Sequence, residues 1–101
     1  MAYTLTWSQA ALDDIDGIAE YISKDSLYHA HQVVEHLLEL GESLPEYPKI
    51  GRVVPELDNP QVRERFVFSY RLIYELHDTV IHIVAVIHGK RLLEAMDRFT
   101  P

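Results

Sequence analysis

The side chains able to do chemistry are few and mostly lie in one half of the chain. Arg63, Arg65, Arg71 and Arg91 fall in the C-terminal half together with His88. Guanidinium groups hold carboxylates and phosphates, often through two parallel hydrogen bonds. They stay protonated and make poor general bases, so His88 is the member of this set able to move a proton near neutral pH. There is no cysteine, which excludes disulfides, Cys-ligated zinc and thiol catalysis. His29, His31 and His36 lack the i,i+4 spacing of a helical zinc pair and read as a solvated helix face. His82 and His88 share one strand parity and are expected to face the same way. No metal site and no cofactor are expected. Arg71 also has a plain structural reading, an ion pair with Glu75 or Asp78.

The charge distribution bears on what these arginines meet. The formal net charge is −7. Residues 1–48 hold nine acidic side chains and one basic one, Lys24, for a net −8, whereas residues 49–101 carry a net +1. A basic patch can form in the second half, but the whole molecule is not drawn strongly to nucleic acid. The length of 101 residues suits one domain, expected over residues 1–101. No secretory leader is visible, and the most apolar run, Ile81 to Ile87, is too short to span a membrane, so a cytoplasmic protein is expected.

The elements that must position these residues follow from periodicity. Residues 2–7 alternate Tyr3, Leu5 and Trp7 against Ala2, Thr4 and Thr6, a strand pattern. Ser8 is placed to cap a helix whose apolar stripe is Leu12, Ile15, Ile18, Ala19 and Ile22. A break at residues 23–26 precedes a second helix from about Leu27 to Leu44, which gives an antiparallel helical hairpin. Pro45 and Pro48 end it and open a proline-rich loop with a short strand near Arg52 to Val54. Strands follow over about Val62 to Phe68, Tyr70 to Leu76 and Val80 to His88, the last nearly all apolar, as in a strand covered on both faces. Leu92 to Phe99 reads as a short last helix. The class is α+β: an N-terminal strand, then a helical hairpin packed on a small antiparallel sheet, then a short C-terminal helix. The face away from the hairpin is expected to carry Arg71 with Arg63 or Arg65. Trp7 is expected in the core, and Tyr70 and Tyr74 as packing residues with hydrogen-bonded hydroxyls.

Four segments in this order resemble the RelE/ParE superfamily of toxins: Trp7-Ser8-Gln9-Ala10-Ala11-Leu12-Asp13-Asp14-Ile15 running on to Ala19-Glu20-Tyr21-Ile22; Leu44-Pro45-Glu46-Tyr47-Pro48-Lys49-Ile50-Gly51-Arg52; Ser69-Tyr70-Arg71-Leu72-Ile73-Tyr74; and Val86-Ile87-His88-Gly89-Lys90-Arg91. The resemblance implies the toxin of a type II toxin–antitoxin, or plasmid stabilisation, system. It implies neutralisation by a cognate antitoxin, and contact with operator DNA only through that antitoxin. It leaves two modes of action open. RelE-like members cleave mRNA on the ribosome with a basic cluster, for which Arg63, Arg65, Arg71, Arg91 and His88 are the matching candidates. ParE-like members poison DNA gyrase. The RelE-type tyrosine beyond the Gly-Lys-Arg segment has no counterpart, since Asp97 lies near its place, and His88-Gly89-Lys90-Arg91 resembles the ParE end more closely. The acidic net charge points the same way. A non-toxic binding module of the same fold is the third reading. For the antitoxin, the expected contacts are Leu12, Ile15, Ile18 and Ile22, with Arg71 or Arg91 meeting its carboxylates.

Overall fold

The computed structural model describes residues 2–89 and 91–99. Strand β1 (Thr4–Trp7) runs directly into helix α1 (Gln9–Ser23), and helix α2 (Leu27–Ser43) follows after a short link. Ser8 caps α1 by accepting from the Ala11 N–H at 3.0 Å, and Ser26 caps α2 by accepting from the His29 N–H at 3.1 Å. The remaining strands are β2 (Arg52–Val53), β3 (Val62–Val67), β4 (Tyr70–His77) and β5 (Val80–His88), before a 3₁₀ helix at Leu92–Arg98. No helix among the described residues is long and apolar enough to cross a membrane.

The five strands form one sheet in the order β1-β5-β4-β3-β2. β2 to β5 are antiparallel, as expected, but β1 lies parallel to β5, with Thr4 opposite Val80 and Trp7 opposite Ile83. The sheet is therefore mixed. The helical hairpin carries the chain across the sheet to β2 at the far edge, and β3, β4 and β5 return strand by strand to pair with β1.

Each face of the sheet has its own apolar cluster. Ala11, Ile15, Val33 and Leu37 of the hairpin pack on Leu72, Tyr74, Ile81, Ile83 and Val86. Trp7 packs against this cluster, and the approach is close: a Cβ on Gly41 would come within 2.3 Å of the Trp7 ring. On the opposite face Val54, Val62, Ile73, Ala85 and Ile87 cluster with Leu92 and Ala95 of the 3₁₀ helix, which packs on β5. Among the described residues no helix covers the rest of that face, toward β2 and β3, which is the open face of the sheet.

A bulge changes the parity of β5. Tyr74 pairs with Ile83 but Ile73 pairs with Ala85, so Val84 is an extra residue. His82 sits opposite Glu75 on the open-face side, whereas His88 sits opposite Tyr70 on the helix side. The expectation that the two histidines share a face fails for this reason. The buried Tyr74 hydroxyl accepts from the Gly51 N–H at 3.0 Å and donates to the Pro48 carbonyl at 2.9 Å, pinning the proline-rich loop to the sheet. Gly51 is required there, because a Cβ would lie 2.7 Å from both the Glu64 carbonyl oxygen and the Tyr74 hydroxyl.

Candidate functional site

Pairing in β3 and β4 decides which arginines can act together. Arg71 pairs with Phe66, while Arg65 pairs with Leu72 and Arg63 with Tyr74. Leu72 and Tyr74 belong to the helix-side core, so Arg63 and Arg65 leave the sheet on that side and Arg71 on the other. The expected grouping of Arg71 with Arg63 or Arg65 on one face does not form. Arg63 instead donates to the Pro60 carbonyl at 3.1 Å and the Gly51 carbonyl at 2.9 Å, bracing the loop before β2.

Arg71 is buried, only 8% exposed, and it is neutralised. Its two terminal nitrogens donate to the two Glu56 oxygens at 3.2 and 2.8 Å. A Glu64 oxygen lies 3.3 Å behind it, and Arg52 pairs with the other oxygen of the fully buried Glu64 carboxylate. The Phe66 ring lies beside both guanidinium groups, with its centroid 5.3 Å from the Arg52 carbon and 5.9 Å from that of Arg71. The bond to Glu56, with Glu64 nearby, raises the Arg71 pKa against the opposing effect of burial. The same bond lowers that of Glu56. The partners of Arg71 are thus Glu56 and Glu64, not Glu75 or Asp78. Glu75 is bonded to His77 at 3.1 Å.

Arg91 and His88 lie elsewhere, at a cleft of about 680 Å³ between α1, the end of β5 and the 3₁₀ helix. Both are exposed, and Ile18, Tyr21, Tyr70 and Arg98 complete much of its lining. The His88 and Tyr70 rings meet edge to face at 6.1 Å. Among the described residues β5 has no strand partner on its β1 side beyond Ile83, and side chains occupy that edge. Ser8 donates its hydroxyl to the Val84 carbonyl at 3.1 Å, and Asp14 accepts the Val86 N–H at 2.9 Å. Asp14 also takes two hydrogen bonds from Arg98, at 2.7 and 3.2 Å, which tie the 3₁₀ helix to α1 and raise the Arg98 pKa. Lys90 lies outside the described residues.

Of the apolar residues expected to meet a partner, Ile15 is closed off in the core, and Ile18 and Ile22 are half-buried against it. Leu12 is exposed, and Ile18 borders the cleft. Among the described residues no group of three or more His, Cys, Asp or Glu is placed to hold a metal ion. Sequence reasoning missed Glu56, Glu64, Arg52, Asp14 and Arg98. One signal was present for Glu64, which shares strand parity with the buried Val62. An acidic residue in that register needs a buried cation. Asp14 and Arg98 are 84 positions apart, and no local pattern links them.

Comparison with known proteins agrees with this geometry. Residues 5–93 match the family model described as the ParE toxin of the type II toxin–antitoxin system parDE. The chain is 34% identical over 89 residues to Toxin RelE2 of Caulobacter vibrioides, covering 87% of this chain and 97% of that protein. Among solved structures, the chromosomal ParDE toxin–antitoxin system from P. aeruginosa superposes with a TM-score of 0.73 at 20% identity, over 88% of this chain and 98% of that one. A mutant of E. coli toxin RelE in the free state gives 0.70 at 23% identity, over 99% of this chain and 100% of that one. At these identities the two structures establish the shared fold, and the family follows from the sequence matches. The chain belongs to the ParE toxin family, within the RelE/ParE superfamily of type II toxin–antitoxin toxins.

Proposed function

We propose that this toxin acts in the ParE manner, by binding and inhibiting DNA gyrase rather than by cutting RNA. The observation that carries the reading is the state of the arginines. Cleavage of RNA without a metal needs free cations gathered around one phosphate, with a base and an acid at hand. Here Arg71 is buried against two carboxylates, and Arg63 and Arg65 leave the opposite face. A binding toxin has no such requirement. We further propose a cytoplasmic protein neutralised by a cognate antitoxin, which alone carries the pair to operator DNA, in a plasmid-stabilisation type of system. A toxin–antitoxin complex of the same fold, RelBE2 from Mycobacterium tuberculosis, superposes with a TM-score of 0.64 at 18% identity and is consistent with that partner. The antitoxin is expected at the cleft and its rim, with Leu12, Ile18 and Arg91 accessible to it.

A RelE-like, ribosome-dependent ribonuclease is the second reading. The relative named RelE2 favours it, as does the exposure of His88 and Arg91 on one cleft. Inducing the chain without antitoxin and pulse-labelling DNA and protein synthesis over the first minutes separates the two. Early loss of DNA synthesis, together with inhibition of supercoiling by purified gyrase, is the expected result. Early loss of translation assigns the ribosome and mRNA as target. If neither synthesis falls while folded protein accumulates, the chain is a non-toxic module of this fold.

A further inference from the structure

We propose that Arg71 and Arg52 form a carboxylate slot on the open face of the sheet, occupied in the free chain by its own Glu56, and that an acidic side chain of a protein partner exchanges with Glu56 there. The identification of that partner as the antitoxin rests on the reading above and has the antitoxin reach the open face as well as the cleft; the slot itself does not rest on it.

Arg71 and Arg52 lie on strands of the sheet, and the occupant of the slot does not. Arg71 sits in the middle of the sheet on β4, and the Glu64 side chain, with no exposed surface, holds it from β3. Glu56 comes from the irregular segment between β2 and β3, and its side chain is 45% exposed. It is the one member of the network both outside the strands and open to solvent on the acidic side. Its two-point contact, at 2.8 and 3.2 Å, shows that a carboxylate matches the fork of Arg71. Among the described residues the buried Arg71 Nε has no hydrogen-bond partner, so Glu56 and Glu64 do not saturate the guanidinium. The Phe66 ring, 48% exposed, gives the slot an apolar flank.

Charge selects the ligand. With Glu56 withdrawn, two guanidiniums face the single carboxylate of Glu64, a local charge of +1. A buried cation left without its partner is strongly disfavoured, so Glu56 leaves only when another anion takes its place. A monoanionic carboxylate restores neutrality. A phosphate dianion overshoots it beside Glu64, and a nucleic-acid strand, though each phosphodiester is a monoanion, brings further phosphates toward a chain of net charge −7.

The test uses purified full-length chain, following the arginine Nε–Hε signals by NMR during titration with acetate or inorganic phosphate at constant ionic strength. In Glu56→Ala the Arg71 signal is expected to move saturably with acetate, with an affinity about tenfold or more above that of wild type, and more strongly than with phosphate. Adding Arg71→Lys should abolish the gain, read then at the Arg52 Nε–Hε signal, because an ammonium lacks the fork. Glu56→Gln, which keeps the side-chain volume and loses the charge, serves if Glu56→Ala fails to fold. Equal responses in wild type and variant overturn the slot. A response to phosphate but not acetate overturns the carboxylate assignment and returns the face to nucleic acid. Neither result depends on gyrase or the ribosome, so the slot and the proposed target fail separately.

Discussion

At the scale of single residues, polar groups buried in this domain hold loops to the sheet. The Tyr74 hydroxyl serves one N–H and one carbonyl of the proline-rich loop at once. Tyr74→Phe keeps the ring packing and leaves the Gly51 N–H and the Pro48 carbonyl without their partner. Loss of about 1–3 kcal/mol is expected in urea denaturation, the usual cost of orphaning such groups. A second residue prediction concerns pH. Glu56 has a lowered pKa because of Arg71, so it binds protons less readily folded than unfolded. Its contribution to stability is therefore present above the ordinary carboxylate range, near 4.5, and is lost as pH falls through the lower folded value. Glu56→Gln should flatten the melting temperature against pH in this acid limb relative to wild type. Because Glu56 is nearly half exposed, solvent screening keeps the effect small. An acid limb identical in the two proteins would show that the pair contributes nothing.

At the scale of elements, the hairpin and strands were legible from the sequence because their signals are local. Ser8 and Ser26 sit at helix starts, apolar residues recur at helical spacing, and β4 alternates Tyr70, Leu72, Tyr74 and Leu76 against Arg71, Ile73 and Glu75. Three features were not legible. The parallel pairing of β1 with β5 joins the two ends of the chain, the bulge at Val84 leaves no mark in an all-apolar run, and the Asp14–Arg98 link is long-range. The same gap explains why the arginine set read as one cluster: the residues are close in sequence, but opposite parity in β3 and β4 sends them to opposite faces. The Asp14 link carries its own prediction. Asp14→Ala removes the acceptor of the Val86 N–H and both bonds from Arg98. Hydrogen exchange at the Val86 amide should accelerate about tenfold or more if that bond closes the edge of β5, with smaller changes in β3. Unchanged exchange at Val86 would mean that the Asp14 carboxylate does not protect the strand edge.

At the scale of the whole molecule, the two faces of the sheet are built differently. The helix side is a continuous core, and the Trp7–Gly41 approach sets how closely α2 lies on the sheet. The other side mixes a small core with the charged network, and between the layers lies the cleft with Arg91 on its rim. Arg91 is exposed, and its backbone N–H, not its side chain, bonds the His88 carbonyl at 2.9 Å. Arg91→Glu should therefore leave the melting temperature of the free chain nearly unchanged, since exposed substitutions away from packed features usually shift stability by less than about 0.5 kcal/mol. If the antitoxin docks at the cleft, the charge reversal adds a repulsive contact to a loss of attraction. Affinity for the antitoxin should then fall by about tenfold or more in a calorimetric titration, with the larger change in dissociation rate if the contact is desolvated. Repeating the titration at higher salt distinguishes a rim contact, whose effect is screened within a Debye length of about 10 Å, from a buried one. An affinity equal to that of wild type at both salt concentrations would remove the cleft rim from the interface and leave the open face, with its Glu56-filled slot, as the surface to examine.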